Sequence, residues 1–217
     1  MSETAALATF EKALGIYVQT KALIITAEET DPKVSSSIAI IREQRDALDH
    51  LMRVISDGYA QQPRGVAYCQ ENTEKAIGHF YRAAYDALDS LAISLKMRIA
   101  KAVGDYDNAA LTAVFPEYFK TYCAEIDALN SRICQSRATK DVGAITDQHM
   151  IEYRQSVERM AEITRDAEQK VAALSEFSQR QKAAERKAND QKLRHQIMGG
   201  ILLLLLAAFV GYLLKRF

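Results

Sequence analysis

Proline and glycine are scarce in this chain, three and nine of 217 residues, which excludes collagen-like and proline-rich sequences. Cysteine is equally rare, with Cys69, Cys123 and Cys134 giving an odd number and no CxxC spacing. Cys123 and Cys134 share one helical pattern and stand about 16 Å apart along its axis, too far for a disulfide. Buried, inert thiols in a reducing compartment are therefore expected. Net charge is also missing: 28 basic residues balance 28 acidic ones, which argues against a surface that is wholly a nucleic-acid footprint. The N-terminus, MSETAALATFEK, has no basic stretch followed by an apolar run, so no cleavable secretory signal is expected. Gly-rich phosphate loops, HExxH, GxSxG and zinc-spaced Cys/His groups are absent, and no cofactor or metal is expected.

What is present is helix-forming. Strand alternation is lacking, while Ala, Leu, Glu, Lys and Arg are plentiful, so the expected fold class is all-α. A first helix carries the stripe Leu7, Phe10, Leu14, Tyr17 and Ile24 and ends at Asp31-Pro32. A second, from about Lys33 to Tyr59, carries Ile38, Ile41, Leu48, Met52 and Ile55. A third begins near Asn72-Thr73-Glu74, carries Ile77, Phe80, Ala84, Leu88, Leu91, Leu95 and Ile99, and stops at Gly104. A short helix before Pro116 leads to a fourth main helix with Tyr118, Tyr122, Ile126, Leu129 and Ile133. The last pattern runs unbroken from about Ile145 to Gly199-Gly200. Its stripe of Met150, Tyr153, Val157, Met160, Thr164, Ala167, Val171 and Leu174 suits packing on the other helices or on a second copy. Beyond Phe177 the stripe fails, and residues 178–196 read as a solvated stalk about 28 Å long.

The segment Ile197–Leu214 holds no charge and, as a helix, would extend about 27 Å, near the thickness of a bilayer core. Ile197, Leu202, Leu206, Val210 and Leu214 mark the expected span, and Lys182, Arg186, Lys187, Lys192 and Arg194 lead into it. Of the 28 basic and 28 acidic residues, eight and two fall in 178–217, leaving 20 and 26 in 1–177. Neutrality is thus a cancellation between an acidic body and a basic stalk. The positive-inside bias places the N-terminal body in the cytoplasm. The resulting expectation is an antiparallel helical bundle whose long C-terminal helix continues into a single transmembrane helix. The bundle would cover 1–138, a connector 139–144, the long helix and juxtamembrane stalk 145–196, and a tail anchor 197–214.

Arg45-Asp46-Ala47-Leu48-Asp49-His50 places a polar residue after an Arg and a His five positions on. This resembles the signature of HEPN domains, helical bundles found as RNases or nucleotide-binding modules, often in prokaryotic defence systems. The likeness covers the six-residue motif and the fold class. It implies a dimer in which Arg45 stabilises phosphate charge and His50 assists the ribose 2′-hydroxyl, cutting RNA without metal. Residues five apart on one helix are separated by about 140°, so convergence requires a dimer or a break. Read as ordinary helix, the same residues form the i,i+4 pairs Arg45–Asp49 and Asp46–His50. His79, Arg82, Asp86 and Asp89 read as a solvated, salt-bridged face.

The leading functional expectation is a tail-anchored, non-enzymatic bundle that binds a helical partner or itself at the membrane surface. The bilayer is one expected partner, and the 150–174 stripe supplies contacts to another copy or protein. The alternatives are a membrane-tethered HEPN-like RNase, under which alone nucleic acid is a partner, and a membrane-disrupting effector acting through clustered anchors.

Overall fold

The computed structural model describes residues 3–31, 37–140 and 147–214, with side chains described over 7–31, 37–138, 148–204 and at 211. All regular structure among these residues is helical: α1 Glu3–Thr30, α2 Ile38–Gly58, α3 Val66–Val103, α4 Asn108–Val114, a π-helical turn Tyr118–Tyr122, α5 Cys123–Lys140 and α6 Asp147–Leu214. The connector expected over 139–144 falls largely outside the described residues.

α3 is the axis of the bundle. Ala76, Ala83, Ala84, Ala87 and Ala92 are all buried, and side chains this small let neighbouring helices approach from several sides. The helix begins earlier than the Asn72-Thr73 cap expected from sequence, because Gly65 adopts φ +95 and turns the chain directly into Val66. Asp57 fixes that turn by accepting from the backbone N–H of Arg64 at 2.8 Å, a bond that holds its carboxyl below its ordinary value. Gly104 closes the other end of α3, where an added Cβ would lie 2.6 Å from the Ala100 carbonyl oxygen.

Cross-helix contacts fix the helix directions. Asp57 meets Cys69, His50 meets Asn72 and Glu43 meets Arg82, so α2 runs antiparallel to α3. Tyr153 meets Asp89 and Arg98 meets Glu168, so α6 runs parallel to α3. Tyr122 reaches Asp166 while Glu125 reaches Arg159, so α5 runs antiparallel to α6. Thr20 donates to the Phe80 carbonyl, while Thr26 and Thr30 lie with Leu95 and Arg98, so α1 runs parallel to α3. Successive long helices thus alternate in direction.

The stripe from Met150 to Leu174 faces inward, with Tyr153, Met160, Ala167 and Leu174 fully buried. It packs on the chain's own helices. Beneath it, Asp89 accepts from both Arg137 and the Tyr153 hydroxyl, tying α5 and α6 to α3. Burial and the Asp89 carboxylate push the Tyr153 hydroxyl's pKa far up, so it stays protonated. Asp89 is therefore half-buried in a join of three helices rather than on a solvated face.

Past Phe177 burial ceases, and from Lys182 to Leu204 every residue of α6 is exposed. The helix does not break at Gly199-Gly200. The expected transmembrane tail anchor requires correction: among the described residues no helix is long and apolar enough to cross a membrane. Of the residues expected to mark the span, Ile197 and Leu202 are exposed on α6. Leu206, Val210 and Leu214, which the expectation also used, lie outside the residues with described side chains.

The cysteines are all free, but only partly as expected: Cys69 and Cys123 are half-buried, whereas Cys134 is exposed.

Candidate interaction surface

α2 is amphipathic in an unusual sense. At 100° per residue its apolar side chains cover an arc of about 200°, wider than one helix contact can bury. Ile40 and Ala47 enter the core, and with them go the polar residues Glu43 and His50, both half-buried. The stripe predicted from sequence points the other way. Ile40 is 4% exposed but its neighbour Ile41 is 52% exposed, and Ile38, Leu48, Met52 and Ile55 accompany Ile41 outward.

α1 behaves similarly. Ala13, Ile16, Thr20, Ile24 and Ala27 are buried, while Leu7, Phe10, Leu14 and Tyr17 are exposed. Small and β-branched residues on the inner side permit a close approach to the alanines of α3. The bulkier stripe is left on the flank. The two outward stripes meet in a groove of about 440 Å³, lined by Phe10, Leu14 and Tyr17 from α1, by Leu48 and Leu51 from α2, and floored by Phe80. Counting Ile38, Ile41, Met52 and Ile55, nine large apolar residues of α1 and α2 stand about half exposed. At roughly 200 Å² for a fully exposed large side chain they present on the order of 900 Å², above the few hundred typical of a monomer's largest patch. Covering each would contribute about 2 kcal/mol.

The polar side of α2 is used inside. Glu43 accepts from Arg82 Nε at 2.8 Å and lies 2.8 Å from His79 Nδ1. Burial pushes the Glu43 carboxyl up, but the hydrogen bonds to His79 and Arg82 outweigh it and hold the group below its ordinary value. His79 Nδ1 also lies 2.7 Å from Arg82 Nη2, so that nitrogen either donates to Glu43 or accepts from Arg82. Asn72 donates to the Tyr68 carbonyl, which leaves its oxygen facing His50 Nδ1 at 3.0 Å. His50 Nδ1 is thus the donor, and its ring stacks on His79 with centroids 5.4 Å apart. Glu43 and Asn72 could not be picked out from the sequence because their partners lie on another helix. His79 and Arg82, read as a solvated face, belong to this half-buried join.

Arg45 is 72% exposed on its side chain and bonds its neighbour Asp46 at 2.7 Å. That contact replaces the expected i,i+4 pair of Arg45 with Asp49, and it lowers the Asp46 carboxyl. Asp49 instead pairs with Arg53 at 2.6 Å. Arg45 therefore lies on the outer stripe and His50 on the α3 side, and within one chain they do not come together. A polar cleft of about 540 Å³ between α5 and α6 includes Glu125, Arg132, His149, Glu152 and Arg159. Its Arg159 is closed onto Glu125 through two bonds, 2.6 and 2.9 Å, and onto Glu162 at 2.7 Å. Among the described residues no group of three or more His, Cys, Asp or Glu side chains is placed to hold a metal.

Lys182, Arg186, Lys187, Lys192 and Arg194 are all exposed on the projecting part of α6, followed by exposed Ile197, Ile201 and Leu202. Among the described residues, the outer face of α1 and α2 and the projecting part of α6 up to Leu204 are the apolar surfaces left without protein cover. No protein-family model matches the chain, and comparisons with curated proteins and with solved structures gave no match.

Proposed function

We propose that this chain is a helical association module working at a lipid surface, most naturally the cytoplasmic leaflet. The body docks to protein through the outer face of α1 and α2, and the free end of α6 meets the bilayer. The observation that carries the lipid half is the order of side chains on α6: exposed cations from Lys182 to Arg194, then exposed apolar residues from Ile197 to Leu204. A helix exposed on all sides has no reason to be apolar in water, and cations directly before such a stretch suit anionic headgroups. The stalk between sets a stand-off: residues 182–196 extend about 22 Å.

The test is flotation of the full chain with preformed vesicles, either neutral or containing anionic lipid. Each cation near the surface is worth roughly 1 kcal/mol, so changing Lys187, Lys192 and Arg194 to Gln should weaken binding to anionic vesicles on the order of 100-fold. Ile201→Asp with Leu203→Asp should abolish binding to both kinds. A chain that ignores vesicles, or binds equally well with those cations removed, contradicts the proposal.

A further inference from the structure

The exposed stripe of α2 has a second regularity. Ile38, Ile41, Arg45, Leu48, Met52 and Ile55 alternate spacings of three and four, the a and d positions of a heptad seam. Arg45 is its one charged member, and every member faces solvent. Written against its own reverse, the seam matches itself. With the midpoint between Arg45 and Leu48, Ile38 meets Ile55, Ile41 meets Met52, and Arg45 meets Leu48. The flanking charges obey the same symmetry. Arg42 and Asp49 occupy successive e positions, both are exposed, and antiparallel pairing brings each opposite the other type in a second copy.

We propose that the occupant of this face is a second copy of the chain, joined by antiparallel pairing of α2 with α2 about a two-fold axis. An isologous contact requires one patch to be complementary to itself, and the polarity and charge order of α2 satisfy that. Gln44 and Leu51 flank the seam on the side of α1 and meet it in the groove, so the two α1 helices fall on one side of the pair. The area suffices: the outer face of α1 and α2 together offers on the order of 900 Å² from each copy, the larger part of it from the α2 seam, close to the roughly 800 Å² per partner of a standard specific interface. This deepens the association-module reading and rests on it. Vesicle binding and dimerisation are separate readouts, so either can fail alone.

The experiment is sedimentation equilibrium of the full chain in a non-ionic detergent, with four variants beside the wild type. The wild type should be a dimer. Leu48→Asp should be monomeric with an unchanged helical circular dichroism spectrum. Arg42→Asp and Asp49→Arg should each weaken the dimer at least tenfold, and the combined exchange should restore it, because only a self-pairing surface regains complementarity. A monomeric wild type overturns the proposal. So does a dimer insensitive to Leu48→Asp, or a double exchange no tighter than the single ones. If Leu48→Asp fails to fold, the charge-exchange series alone decides between a self-pairing α2 and any other arrangement.

Discussion

Adjacent isoleucines of α2 should differ sharply in what they contribute to the stability of one chain. Ile40 is 4% exposed and packs in the principal core, whereas Ile41 is 52% exposed on the outer stripe. Truncating a buried Ile to Ala removes its transfer free energy and leaves a cavity, typically about 2–5 kcal/mol. Ile40→Ala should therefore cost about 3 kcal/mol. Ile41 has already forfeited about half of its burial and leaves no enclosed cavity, so Ile41→Ala should cost about 1 kcal/mol or less. Urea unfolding followed by far-ultraviolet circular dichroism measures both. A dilution series separates the intrinsic term from association, because a dimer gains stability with concentration and a monomer does not. The penalty of Ile41→Ala should grow with concentration, while that of Ile40→Ala should persist at the highest dilution. Equal penalties for the two in dilute solution would refute this orientation of α2.

Three further outcomes follow from the interior contacts. Asp89→Ala removes the shared acceptor of Arg137 and Tyr153 and should cost about 2 kcal/mol more than Tyr153→Phe, which loses one hydrogen bond worth about 1 kcal/mol, as read by thermal unfolding. The Glu43 carboxyl is lower in the folded chain than its ordinary 4.5, so its contribution is complete above that value and is lost as the pH falls through the folded value beneath it. Glu43→Gln should then flatten the fall of stability in acid, and an unchanged acid profile would contradict the join with His79 and Arg82. Burial and then Asp57 raise the Cys69 thiol, while Cys134 is exposed, so a thiol reagent at about pH 8 should modify Cys134 first and Cys69 more slowly. Asp57→Asn should speed Cys69 and cost about 1–2 kcal/mol through the lost backbone bonds in the α2–α3 turn.

Periodicity made the helices legible and left their faces open. The stripe from Met150 to Leu174 turns inward as a strong 3-4 pattern suggests, but Ile38–Ile55 and Leu7–Tyr17 have the same spacing and turn outward. Spacing states that a face is apolar and does not state what covers it. The deciding information lies elsewhere, in the alanines of α3 that admit close neighbours and in Glu43 and His50, whose partners sit on another helix. Arg45 within the α2 stripe was the local sign that this stripe is not core, since a guanidinium there needs water or a second chain. The starting point of α3 was hidden for a different reason: one positive-φ glycine replaces the polar cap that the sequence suggested at Asn72-Thr73. The apolar C-terminal segment was the most conspicuous feature of the sequence. Among the described residues no helix is long and apolar enough to cross a membrane, and Ile197–Leu204 are exposed on the projecting helix.

The orientation of α2, with its polar side to the core and its apolar side to a second copy, is open to one direct measurement. Single-cysteine substitution at positions 40, 41, 47, 48 and 52, in a chain with Cys69, Cys123 and Cys134 changed to Ser, reads it through labelling rates across concentration. Positions 41, 48 and 52 should label rapidly in dilute solution and become protected as concentration rises, while 40 and 47 stay slow throughout. Protection of 41, 48 and 52 at every dilution, or rapid labelling of 40 and 47, would contradict it.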